Sequence, residues 1–211
     1  VRRWAGLVVG MVLVALISSC AGPNSGTFGE DVVQGLATTS PAPPVTTVPS
    51  VPVRQGPAPA RAAVQPVRLA IPAIGLTARV VPAGVDGNGE FSVPPSVDEV
   101  GWYRFGAGLG EPAGSVVVGG HVDDARSGPG AFYRLGDLVA GDQVSVVGED
   151  GTTRAFRVVA KEQVPKKGLD LTPYFSAEGS ARLTLFTCGG QFDGAARSYV
   201  DNVIVTAVPS G

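Results

Sequence analysis

From about Val67 onward the chain alternates short β-branched runs with turn residues, including VRLAI, ARVVP, SVVVGGH, QVSVVG, TRAFRVVAKEQV, ARLTLFTC and YVDNVIVTAV. Runs of this length and composition, broken by Gly, Pro and Asp, predict strands. Asp150-Gly151 between two of them predicts a hairpin, and GVDGNGEF a second tight turn. AFYRLGDL is helix-compatible for a turn or two. Seven or eight short strands with so little helix predict an all-β domain, a closed barrel or a sandwich, over residues 67–209. In ARLTLFTC, alternation puts Leu183, Leu185 and Thr187 on one face and Thr184, Phe186 and Cys188 on the other.

The chain before this domain reads differently. Residues 22–66 are rich in Pro, Ala, Thr, Ser and Val, with no aromatic residue between Phe28 and Phe91. Such a segment predicts a disordered, Pro-rich spacer, semi-stiff through its extended prolines. Residues 1–21 place Arg2 and Arg3 before an apolar run from Trp4 to Ile17, as in a signal peptide. The run closes on LISSC, a pattern similar to the site where bacterial lipoproteins are cut and acylated, which makes Cys20 a candidate for lipidation. The competing reading is an uncleaved signal anchor extending through Ala21. Both expectations place the domain outside the cytoplasm, held at the outer face of a bacterial membrane.

Composition narrows the chemistry. A formal charge of -2 with 16% charged residues offers no phosphate-tracking surface, so nucleic acid is not an expected partner. Two cysteines and one histidine fall short of a structural zinc site, and no metal or other cofactor is expected. With Cys20 in the leader, any Cys/His pair in the domain is Cys188 with His121.

Both of these residues stand where a predicted strand gives way to glycines: Cys188 precedes Gly189-Gly190, and His121 follows Gly119-Gly120. Glycine lets backbone and substrate approach closely. The nucleophilic form of cysteine is the thiolate, whose formation a neighbouring base or cation favours. Arg197 lies nine positions after Cys188, across GGQFDGAA. A loop returning it to the thiol would let its guanidinium meet the oxygen that turns negative when a carbonyl is attacked. Taken singly, a buried inert thiol explains Cys188 equally well, and a polar loop histidine and a solvated arginine explain His121 and Arg197 better.

As a set, these residues resemble a known family. TLFTC (Thr184 to Cys188) with the downstream Arg197 resembles the Thr-Leu-x-Thr-Cys…Arg signature of sortases, and GGHVDD resembles the segment bearing their histidine. The likeness continues through RLAIPAIGL, GWYRFGAG and FYRLGDLVAGDQV, and is closest to the actinobacterial sortases lettered F or E. It implies an eight-stranded β-barrel with one or two short helices, and a cysteine transpeptidase. Such an enzyme cleaves a Leu-Pro-x-Thr-Gly-like sorting signal through a Cys188 thioester, with His121 as acid then base and Arg197 steadying the oxyanion. The implied partners are proteins bearing sorting signals and an amine on a peptidoglycan precursor or pilin. Thr187 is a candidate for contact with the substrate backbone, and the segment VPKKGLDLTPYFSAEG for substrate positioning. Two other readings are an L,D-transpeptidase, whose Ser-x-Gly-Cys motif is not matched by Phe186-Thr187-Cys188, and a surface lipoprotein with a peptide-binding barrel and an inert Cys188.

Overall fold

The computed structural model describes residues 26–38, 63–87 and 89–210. The leader, with Cys20, and most of the Pro-rich stretch lie outside these residues. Among the described residues no helix is long and apolar enough to cross a membrane.

Eight strands close into a barrel: β1 (Pro66–Ile71), β2 (Leu76–Ala83), β3 (Glu99–Tyr103), β4 (Ser115–Gly120), β7 (Gln143–Gly148), β8 (Thr153–Pro165), β9 (Arg182–Asp193) and β10 (Ser198–Pro209). Their order around the barrel is β1-β2-β3-β4-β9-β10-β8-β7. A separate two-stranded ribbon joins β5 (Asp123–Asp124) to β6 (Gly128–Pro129). The neighbours β2/β3 and β4/β9 are parallel, and the other barrel pairs are antiparallel. This is the eight-stranded barrel that the sequence resemblance implied.

Inward-facing apolar residues from all of these strands fill the barrel, among them Leu69, Ile71, Val100, Val144, Val158, Leu183 and Leu185. The expected alternation holds on β9: Leu183 and Leu185 enter this core, while Phe186 packs outside it in a second cluster. All six residues of β4 are buried, the pattern of a strand covered on both faces. Both predicted turns form. Val85 bridges Phe91 across the first, and Gly151 takes a positive φ of 75° between β7 and β8. AFYRLGDL yields one 3₁₀ turn at Leu135–Asp137.

Two of the elements that were not expected bear on the site. EVGWY is strand β3, whose central Gly101 hides the pattern; a Cβ there would lie 2.8 Å from that of Ala83 and 3.0 Å from the Pro94 ring. The second corrects the spacer expected over residues 22–66, because residues 26–38 fold against the barrel. Phe28 exchanges backbone hydrogen bonds of 2.7 and 2.8 Å with Lys161 of β8, and helix α1 (Glu30–Ala37) follows. Glu30 and Asp31 favour the start of α1 by meeting its positive end. Val33, 1% exposed, packs with Ala160, Tyr174 and Ile204 outside the barrel wall. At the other end of α1, the carbonyl of Leu36 accepts from Ser180 N–H and from the buried Arg182 guanidinium. Arg182 also donates to the carbonyls of Glu178, Ser180 and Pro173, so one side chain ties α1 to the segment between β8 and β9. That segment carries the short helix α2 (Thr172–Phe175).

Candidate active site

The parallel pair β4/β9 sets the site. Its register runs from Ser115↔Arg182 to Gly119↔Phe186, and two residues further on along each chain stand His121 and Cys188. Strands in a sheet lie about 4.8 Å apart, so continuing this register brings the two residues toward each other, with Cys188 on the same face of β9 as Phe186. Thr187 secures this alignment: its hydroxyl, buried between the strands, donates to the carbonyl of Gly120 at 2.8 Å. The side chain read from sequence as a substrate contact is thus 3% exposed and turned inward, where it positions the chain leading to His121. Inward alternation on β9, already visible in the sequence, is the physical reason.

His121 is fixed from several sides. Its Nε2 lies 2.8 Å from the carbonyl of Pro94; a carbonyl only accepts, so Nε2 carries the hydrogen and Nδ1 is left for proton exchange. Its own carbonyl accepts from Phe132 N–H, and Gly130 passes so close that a Cβ would meet that oxygen. Pro94, followed by Pro95, carries no sign of this contact in the sequence.

Cys188 bears a free, half-buried thiol. β9 does not end there, as expected, but continues to Asp193, pairing with β10 as far as Asp193↔Ser198. The turn holding Arg197 therefore sits beyond the paired strands. Arg197 is exposed, has a positive φ of 51°, and forms no hydrogen bond or ion pair with the described residues. The cation against the sulfur is instead Lys166, just past β8, whose Nζ is 3.4 Å from Cys188 Sγ and 3.1 Å from Ser198 Oγ. The structure thus brings Cys188 and His121 to neighbouring strands and leaves Arg197 on the hairpin turn.

The two aspartates after His121 do different things. Asp123 accepts a 2.5 Å hydrogen bond from the Tyr199 hydroxyl, linking the β5 ribbon to β10 and raising the tyrosine above its ordinary pKa. Asp124 accepts from Arg126 and Ser127 N–H in the ribbon's turn, which holds its carboxyl below the usual range.

On the other side of Phe186 lies an aromatic wall. Phe91 meets Phe186 edge-on at 4.9 Å between centroids, and Phe175 of α2 meets Phe186 at 5.7 Å and Tyr103 at 5.2 Å. Gly119 makes room for it, since a Cβ there would come within 2.7 Å of Phe186 and 2.8 Å of Phe91. Phe105, packed on Tyr103, is 61% exposed, so the wall opens to solvent. A cavity of about 290 Å³ lies elsewhere, near the start of β4 and β9, lined by Gly114, Val116 and Arg182. Six residues of strand separate Arg182 from Cys188, about 20 Å. Among the described residues, no group of three or more His, Cys, Asp or Glu could hold a metal ion.

Comparison with known proteins bears on this arrangement. A family model described as the Sortase domain matches residues 69–210, more than half of the chain. No curated protein matches the sequence. Sortase C-1 of Actinomyces oris superposes with a TM-score of 0.53 at 20% identity, covering 68% of this chain and 73% of that one. Sortase C1 of Streptococcus agalactiae gives 0.53 at 19% identity, covering 68% and 66%, and that of Streptococcus suis 0.53 at 15%, covering 70% and 74%. At such identities the likeness speaks for the fold. The family match, which reaches every strand of the barrel, shows that this chain belongs to the sortase family.

Proposed function

We propose that this chain is a cysteine transpeptidase that cleaves a Leu-Pro-x-Thr-Gly-like C-terminal sorting signal and joins the acyl fragment ending in threonine to an amine. The observation that supports this reading is the β4/β9 register, which runs toward the single histidine of the sequence on one strand and the single thiol of the domain on the other.

In this mechanism the Cys188 thiolate attacks the Thr–Gly carbonyl, forming a C–S bond and an oxyanion. The C–N bond then breaks, and His121 gives its proton to the departing glycine amine, leaving a thioester. An incoming amine attacks that thioester, passes a proton to His121, and expels the thiolate. Pro94 holds the Nε2 side of the ring, so Nδ1 is the nitrogen that exchanges these protons. The wall of Phe91, Phe175 and Phe186 supplies an apolar surface for the Leu-Pro part of the signal. For Arg197 to steady the oxyanion, as its sequence position led us to expect, it would have to fold back from the hairpin turn. Acceptors in keeping with this chemistry are a peptidoglycan precursor or a pilin lysine; one structural relative is described as a pilus-related sortase. The leader-like residues 1–21 support placing the enzyme at the outer face of the membrane, acylated at Cys20 or held by an uncleaved anchor.

The test is ligation by the full-length protein in mild detergent, supplied with Leu-Pro-x-Thr-Gly and Leu-Ala-x-Thr-Gly peptides and an amine. A joined product with the wild type and none with Cys188→Ala is expected. Equal product from both would overturn the reading, and no product from a peptide library would move it to the non-catalytic binding alternative.

A further inference from the structure

We propose that Lys166 is a catalytic residue of this enzyme, the cation that stabilises the Cys188 thiolate and the oxyanion formed on the substrate. The proposal rests on the transpeptidase reading and assigns to Lys166 a role that the sequence pattern gave to Arg197.

Topology places the lysine. Asn202 of β10 pairs on one side with Val164 of β8 and on the other with Cys188 of β9. Lys166 lies two residues beyond Val164, one strand removed from the thiol, a gap that a four-carbon side chain spans. Its backbone is held at both groups: its N–H donates to Val200 at 3.0 Å, and its carbonyl accepts from Leu169 N–H in a turn closed by Gly168 at φ 78°. The side chain therefore crosses β10 from a fixed root.

Its hydrogen bonds define what it can do. An ammonium has three N–H donors. One points to Cys188 Sγ at 3.4 Å and one to Ser198 Oγ at 3.1 Å, and Ser198 is itself held by donating to the Tyr199 carbonyl at 3.2 Å. The third is left for the carbonyl oxygen of a substrate whose carbon is bonded to that sulfur. Among the described residues no carboxylate forms an ion pair with Lys166, so its charge is directed at the sulfur. A preorganised donor of this kind, facing charge as it develops, is where the largest electrostatic gain in acyl transfer arises. The proton transfers stay with His121.

The test compares full-length wild type, Lys166→Met, Lys166→Arg and Arg197→Ala. Two rates are read: cleavage of the sorting peptide, and alkylation of Cys188 by iodoacetamide at neutral pH. Lys166→Met should lower kcat/KM about a hundredfold or more, as loss of one oxyanion donor does. It should also slow alkylation about tenfold by removing the positive charge 3.4 Å from the sulfur. Lys166→Arg should restore part of both rates, and Arg197→Ala should stay within about threefold of wild type. Lys166→Met within about threefold of wild type in both rates would overturn the proposal. So would a hundredfold loss confined to Arg197→Ala. If the wild type cleaves no sorting peptide, the substrate reading fails by itself and alkylation still decides: slower in Lys166→Met sustains the cation role, equal rates reject it. Thermal melting of each variant separates these effects from misfolding, and Lys166→Gln replaces Lys166→Met if the latter does not fold.

Discussion

Thr187→Val tests the strand register beneath the site with a nearly isosteric change. Valine keeps the β-branched shape that suits the strand and removes only the hydroxyl, which donates 2.8 Å to the buried carbonyl of Gly120. A typical internal hydrogen bond contributes about 1 kcal/mol net, and a buried acceptor left without its donor costs about 1–3 kcal/mol. The expected loss is therefore about 1–3 kcal/mol. For a domain of this size that lowers Tm by about 2–4 °C per kcal/mol. Urea melts with a common m-value give the free energy. Peptide cleavage gives the second readout: because Gly120 leads into His121, loosening it should lower kcat more than it raises KM. A variant as stable as wild type with KM alone increased would refute this reasoning and return Thr187 to the substrate contact that its place beside Cys188 implied.

Three further outcomes follow from the packing. Val33→Ala in α1 removes about two methyl groups from a site that is 1% exposed, and should cost about 1.5–3 kcal/mol in urea melts; a chain beginning at Val67 should be less stable than one beginning at Gly26. Gly119→Ala places a methyl within 2.8 Å of both Phe91 and Phe186, so it should cost about 1–3 kcal/mol and weaken peptide cleavage; unchanged activity would remove the aromatic wall from the substrate site. Burial raises the Glu162 carboxyl above its ordinary pKa, with the Tyr174 hydrogen bond opposing the shift only in part. The folded state then holds a proton that the unfolded state has lost, so this contribution is fully present below the unfolded carboxyl pKa and is lost as pH rises through the folded one. Glu162→Gln should flatten that fall in a series of melts from pH 4 upward, and an unchanged slope would assign it to another group.

How much of this was legible in the sequence depends on how local the information is. Runs such as SVVVGG and ARLTLFTC announce strands by composition, and alternation alone sends Leu183 and Leu185 inward and Phe186 outward. β3 was hidden because its middle residue must be glycine to clear Ala83 and Pro94, a requirement set by a neighbouring strand and a loop. Helix α1 was hidden because EDVVQGLA is short and lacks a side-chain cap; it is stabilised by Val33 against Ala160, Tyr174 and Ile204, and by Arg182 bonded to Leu36. At the site, Cys188 and His121 could be singled out because each is the one residue of its kind in the domain. Lys166 could not. It stands 22 positions before Cys188 in a segment read only as a positioning loop, and its nearness appears once β8, β10 and β9 are known to lie side by side. Arg197 drew attention through its spacing, but spacing does not reveal that the hairpin stays paired to Asp193 and carries the turn onward.

The central claim is that Cys188 takes up the acyl group of a sorting signal, and trapping that intermediate tests it most directly. Full-length protein would be mixed with a Leu-Pro-x-Thr-Gly peptide without added amine, quenched in acid, and examined as intact mass and then as mapped peptides. The account predicts an adduct equal to the peptide cut after threonine, located on Cys188, discharged on adding an amine and missing from Cys188→Ala. An adduct on another residue, or cleavage that persists in Cys188→Ala, would contradict it.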